Sequence, residues 1–231
     1  MKHMKSKEKF LLYLPAVISL FLPVLTLILY CFGYTVTLFS YTVFSVIIAL
    51  FFLAYLWICK NQKFRKPLAF LPIFALINLA VYVFKSKSVI VLICMSIGFI
   101  CSAIIAEKAC SSSKAKIASV LTSVVLSVPV LVTSLAVAVF GNFSVNTVVD
   151  KIYSPNKTYY AEIVDSDQGA LGGDTIVYVH KNSKLDLFVL TISKTPKRIY
   201  IGEWKEYETM SAEWKNENCL MIDSTEYNIE L

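Results

Sequence analysis

Residues Ile117 to Phe140, IASVLTSVVLSVPVLVTSLAVAVF, hold 24 positions without one ionisable side chain. At about 1.5 Å of rise per residue, a helix of that length crosses the ~30 Å hydrocarbon layer of a bilayer with some tilt. Gly141 and Asn142 break the pattern, and from Asp150 to Leu231 the composition is that of a small water-soluble β domain. The stretch divides the chain into a membrane part before it and an aqueous part after it.

Composition agrees with that division. The 231 residues are 57% hydrophobic and 16% charged, with two histidines, whereas a soluble domain carries about 25% charged residues. The net charge of +6 is a sum of opposites: residues 1–149 carry 13 Lys/Arg against 2 Asp/Glu, and residues 150–231 carry 9 against 14. A basic half built of apolar runs points to loops facing an anionic membrane leaflet and away from nucleic acid.

Toward the amino terminus, a basic tail over residues 1–9 precedes 50 residues, Phe10 to Cys59, that contain no Asp, Glu, Lys, Arg or His. Fifty residues make two crossings, read as spans over about 10–30 and 36–59 with a turn at Cys31 to Thr35. Pro15 and Pro23 kink the first without ejecting it, since membrane helices tolerate proline. The run is too long for a cleaved signal peptide and no A-x-A site follows; Cys31 lacks the small preceding residue of a lipoprotein acceptor. Lys60, Lys63, Arg65 and Lys66 come next, then spans over about 67–84 and 89–106 separated by Lys85-Ser86-Lys87-Ser88, and the fifth at 117–140. Placing the tail in the cytoplasm gives inner segments 11 Lys/Arg and outer turns 2. The positive-inside bias therefore predicts five crossings of the cell membrane, amino terminus inside and carboxyl-terminal domain outside.

The spans carry little chemistry. Coupled transport leaves an ionisable side chain in the hydrocarbon region, and intramembrane proteolysis needs paired carboxylates, Ser/His or zinc ligands there; the five spans contain none of these. Asn78 is the strongly polar side chain within a span and is read as hydrogen-bonding to a neighbouring helix. Ser119, Ser123 and Ser127, with Ser134 further along, form a small-residue stripe on the fifth span. Such a stripe lets a helix approach a neighbour or a second copy closely, so a homo-oligomer through the fifth helix is an expectation. No C-x-x-C or Cys/His cluster occurs among the six cysteines, and Cys31 and Cys219 are the pair on the outer side that a disulfide could join.

After a linker over residues 141–152, a β domain is expected over 153–231. Strands are read near residues 159–164, 175–180, 187–192, 198–201, 209–214, 219–222 and 227–230, forming one twisted sheet or a small sandwich. Ser154-Pro155-Asn156-Lys157 presets a type I turn. Asp165, Asp167 and Asp174 around Gly169, Gly172 and Gly173 are candidate cation ligands, although the spacing is not that of an EF-hand; a solvated hairpin with glycines at positive φ is the competing reading. His180 has no Cys or Ser partner nearby and is read as a half-buried side chain in preference to a base. Trp204 and Trp214 are read as core residues, with a partner-binding role as the alternative.

Three segments carry a resemblance: Ser154 to Tyr159 (SPNKTY), Asp167 to Asp174 (DQGALGGD), and Ile199-Tyr200 through Trp204 to Trp214 and Leu220 to Ile222. They resemble a family of uncharacterised membrane-anchored proteins of Gram-positive bacteria with the pattern S-P-D-G-K-Y, D-Q-G-A-x-G-G, I-Y and W-x5-L-x-I. The match covers about the last third of the chain. Asn156-Lys157 replaces the usual Asp-Gly, which bears on the turn geometry. The resemblance implies a bacterial cell-surface domain and supplies no mechanism, cofactor or catalytic residue. Together these readings describe a non-enzymatic integral membrane protein that displays a β domain, residues 153–231, for binding a partner protein or an envelope component. A transporter or accessory subunit of a membrane complex is the alternative.

Overall fold

The computed structural model describes residues 6–58, 66–110, 112–141, 145–169 and 172–230. Of the cations that orient the chain, Lys2, Lys5, Lys60, Lys63 and Arg65 lie outside them. The chain forms two compact units, one of helices and one of strands.

The helical unit holds α1 (Ser6–Cys31), α2 (Tyr41–Ile58), α3 (Leu71–Ser86), α4 (Val89–Ala109) and α5 (Ser113–Phe140). All five are long and apolar enough to cross a membrane, as the helices of an integral membrane protein are. A 3-10 turn at Lys66–Phe70 leads into α3, where Pro72 sits in the first turn and loses no intrahelical bond. Between α3 and α4 the chain turns at Lys87, whose left-handed backbone (φ 48°) lets its N–H donate to the Val83 carbonyl at 2.7 Å. Ser88 is extended, and α4 starts at the next residue. Lys87 and Ser88 thus separate two spans, with Lys85 and Ser86 closing α3, as the 40-residue apolar run requires.

Helix α4 packs against α2, α3 and α5. Its buried residues, among them Val91, Met95, Gly98, Ser102, Ile105 and Ala106, are small or slim enough for close approach. Ser102 donates to the Phe99 carbonyl at 2.6 Å, which satisfies its hydroxyl inside the bundle. On α5 the faces separate clearly. Ser123, Ser127, Ser134 and Ala138 are buried, while Val120, Val124, Val128 and Val132 are exposed as a lipid-facing stripe.

The β unit contains a strand that the hydropathy reading assigned to a membrane span. Residues expected to open the second span instead form β1 (Tyr34–Leu38), and α2 begins only at Tyr41. The linker expected over 141–152 is likewise corrected, because most of it belongs to β2 (Val145–Tyr153). The remaining strands are β3 (Tyr159–Asp167), β4 (Gly173–Lys181), β5 (Lys184–Asp186), β6 (Leu190–Lys194), β7 (Lys197–Gly202), β8 (Ala212–Asn216), β9 (Cys219–Ile222) and β10 (Thr225–Asn228). The strand expected over 187–192 is broken at its start: residues 187–189 form the turn of the β5–β6 hairpin.

Three antiparallel sheets result, ordered β2-β3-β4-β7, β10-β9-β8 and β1-β6-β5. The core is made by Ala161, Ile163, Val177 and Val179 of the four-stranded sheet against Leu220 and Ile222 of β9 and Ile229 beyond β10. These positions alternate along each strand, as a half-buried sheet demands. A small sandwich is therefore the architecture of this core.

The turn between β2 and β3 places Lys157 in the left-handed region (φ 59°), with its N–H donating to the Ser154 carbonyl at 2.8 Å. This is the position where the resembled pattern has glycine. A side chain there costs conformational energy that glycine avoids. Lys157→Gly is expected to raise the stability of the β domain by about 0.5–1 kcal/mol, measured as an upward shift of its urea midpoint at constant slope. An unchanged or lower midpoint would show that the turn carries no such strain.

Candidate functional site

Register places the site. The alternation that turns Ile152, Ala161 and Val179 toward the core turns Lys151, Tyr153, Tyr160, Glu162 and His180 to the opposite face of the four-stranded sheet. Tyr153 pairs with Tyr160 and Tyr160 with His180 across adjacent strands. There the Tyr160 and His180 rings stack at 4.7 Å between centroids and 4° between planes. The Lys151 ammonium lies 3.6 Å from the Tyr160 ring centroid, a cation–π contact.

This face forms one side of a cavity of about 370 Å³. Lys181, Asn182, Ser183 and Lys184 line it from the end of β4 onward, and Thr191, Ser193 and Lys194 from β6. The β6 wall is held by β1, which pairs with it from Tyr34↔Lys194 to Leu38↔Leu190. Thr35 Oγ1 lies 3.2 Å from Ser193 Oγ, and the Lys194 ammonium sits 4.9 Å from the Tyr34 ring centroid.

The cavity is cationic. Four of the nine Lys/Arg residues of the segment 150–231, a segment with 14 Asp/Glu, line this one space. Two carboxylates offset part of that charge. Asp186 Oδ2 is 2.9 Å from Lys184 Nζ, and this bond, with one from Thr191, holds the Asp186 carboxyl below its usual range. Glu162 lies 3.5 Å from Lys151 and 3.0 Å from His180 Nε2. The His180 contact is within ion-pair range but is not aligned as a hydrogen bond. Burial pushes the imidazole below its ordinary value, against the pull of Glu162 and with the help of Lys151. The stacked His180 ring serves as a wall of the cavity. Among the described residues, Lys181 and Lys194 have no carboxylate partner.

The other candidates separate in space. Asp165 and Asp167 fall on one face of β3, whereas Asp174 pairs with Ser166 and falls on the other. Each carboxylate is engaged locally: Asp167 accepts from the Gly169 N–H at 2.7 Å, Asp174 from Gln168 Nε2 at 2.9 Å, and Asp165 from the Tyr207 hydroxyl at 3.4 Å. No group of three His, Cys, Asp or Glu side chains able to hold a metal ion occurs among the described residues, and these hydrogen bonds are those of a structured hairpin. Gly172, at φ 91°, supplies the conformation that hairpin needs. Gly173 is required for a different reason: a Cβ there would come within 2.6 Å of Trp204 Cδ1.

Trp214 is a core residue, its Nε1–H donating to the Ile152 carbonyl at 3.1 Å and its ring stacked on Tyr159. Trp204 remains 45% exposed. Cys31 and Cys219 are both free thiols, the first exposed and the second buried in β9. Asn78 is only 1% exposed, and its Oδ1 has no hydrogen-bond partner among the described residues. Ser127 donates to the Val124 carbonyl of its own helix at 2.9 Å. The Ser119 side chain lies outside the described residues. In the helical unit, a cavity of about 310 Å³ is lined mainly by apolar groups of the 3-10 turn, α3 and α5, including Ala69, Ile73, Ala118 and Thr122.

Sequence reading missed the basic cavity. Its one legible sign was the lysine spacing around His180, Lys181 and Lys184, which resembles any solvated loop. No family model, curated protein or solved structure matches the chain.

Proposed function

We propose that this chain is a non-enzymatic protein of the bacterial cell membrane whose β domain lies outside the cytoplasm and binds an anionic component of the envelope. The concentration of four lysines around one cavity, in a segment that is otherwise acidic, carries this reading. Lysine ammonium groups without carboxylate partners attract a negatively charged ligand, and Asn182, Ser183 and Thr191 add hydrogen-bonding groups suited to a hydroxylated one. The resemblance to membrane-anchored surface proteins of Gram-positive bacteria supports the same placement.

Chain connectivity supports the topology. β1 lies between α1 and α2 in the sequence and pairs with β6, so the α1–α2 connection and the β domain share one side of the bilayer. One crossing before β1 and five before β2 satisfy that condition. The positive-inside bias then selects the outer side.

Orientation is tested in intact cells with an impermeant maleimide, in a chain whose six native cysteines are replaced by serine. Glu213→Cys is expected to label and Lys63→Cys to remain unlabelled; the reverse pattern removes the outer placement. Binding is tested with the full chain in nanodiscs of zwitterionic lipid, using polyphosphate as the probe. Lys181→Glu with Lys194→Glu is expected to weaken binding by at least about tenfold, since charge-assisted contacts are worth roughly 1.5–3 kcal/mol each. Equal affinity in parent and variant would rule out the cavity as the anion site.

A further inference from the structure

Leu187 and Leu190 exchange backbone hydrogen bonds at 2.8 and 3.2 Å, which leaves Phe188 and Val189 as the two-residue tip of the β5–β6 hairpin. Phe188 is 100% exposed, and Leu185, Leu187 and Val189 beside it are exposed as well. A hairpin tip in water ordinarily carries Gly, Asn or Asp. Four large apolar side chains there mark a contact with something apolar.

The backbone shows where that contact is. The Phe39 N–H donates to the Val189 carbonyl at 3.1 Å, and Phe39 stands two residues before Tyr41, the first residue of membrane span α2. At 3.3–3.6 Å per residue, covalent geometry and this hydrogen bond keep the Val189 carbonyl within roughly 12 Å of the point where that span begins. The connection itself is aromatic: Tyr30, Phe32 and Phe39 are all exposed, the residue types that settle at headgroup depth. Lys184 and Lys194 stand at the base of the same hairpin, where ammonium groups meet lipid phosphates.

We propose that the β5–β6 hairpin is a lipid-docking element, with Phe188 and its apolar neighbours inserted into the interfacial layer of the bilayer that the chain spans. The partner is the lipid surface itself. The hairpin also supplies Lys184, Thr191 and Lys194 to the basic cavity, so docking holds that cavity at the level of the headgroups. The proposal rests on α2 being a membrane span and does not depend on which side the domain faces or on what the cavity binds.

The test uses the full chain in nanodiscs with an environment-sensitive dansyl amino acid at position 188, and for comparison at position 213. Quenching by lipids spin-labelled near the headgroup, blue-shifted emission and protection from aqueous iodide are expected at position 188; position 213 should show none of these. With the fluorophore moved to position 187, Phe188→Asp should abolish the lipid quenching. Phe188, 100% exposed, packs on none of the described residues, so this change leaves the fold intact, and an unaltered β-domain melting temperature verifies that. Free access of iodide to position 188, with no quenching from the lipid phase, would overturn the proposal. Binding of phosphate probes to the cavity can fail without affecting any of these readouts.

Discussion

Val36→Asp is expected to unfold the β domain while the five helices remain in the membrane. Val36 is the middle residue of β1, 1% exposed and paired with Ile192 of β6. A carboxylate at that depth has no partner and costs several kcal/mol, while a small domain has only about 5–15 kcal/mol in total. Without β1 the β6 wall of the basic cavity also loses its outer neighbour, including the Thr35–Ser193 contact and the Tyr34 ring under Lys194. Limited proteolysis of the full chain in nanodiscs reads the outcome: fragments from residues 145–230 should appear at a protease dose that leaves the parent whole. Val36→Ala, which removes two methyl groups at ~0.8 kcal/mol each, should shift the unfolding midpoint without abolishing the fold. A Val36→Asp chain as resistant as the parent would mean that β1 is not needed by the domain. It would also remove the shared-side argument for topology.

Leu220→Ala should lower the stability of the same domain by about 2–5 kcal/mol. Leu220 is wholly buried on β9, where it packs with Ile222 and Ile229 against Ala161, Ile163, Val177 and Val179. That cluster joins the β10-β9-β8 sheet to the four-stranded sheet, so the void falls where two sheets meet and neither can close it alone. Leu187→Ala, on an exposed turn, is the matched control and should stay within about 0.5 kcal/mol in detergent. Urea unfolding followed by Trp214 fluorescence separates the two variants, because Trp214 packs on this core. Similar midpoints for both would mean that the sheet-to-sheet contact contributes little.

Some local features were legible because they depend on residues close in the chain. Ser154-Pro155 announced the turn, and alternation announced β3, β4, β7 and β9. Other features depended on partners far away. Tyr34-Thr-Val-Thr-Leu38 reads equally well as the start of an apolar span or as a strand, and only pairing with β6 decides between them. The aspartates at 165, 167 and 174 looked clustered in the sequence, but strand pleating divides them between two faces. Lys151 and Lys194, 43 positions apart by number, reach one cavity from two different sheets, through the β2–β3 and β3–β4 pairings and the separate β5–β6 hairpin.

The amino-acid sequence by itself determined that five runs are long and apolar enough to enter lipid and that a β domain follows them, because transfer into a bilayer is summed residue by residue and needs no knowledge of neighbours. Tertiary structure alone decided that the α1–α2 connection becomes a strand of that domain. The reason is the hydrogen-bond register between residues as distant as Thr35 and Ser193, 158 positions apart, which no local pattern encodes.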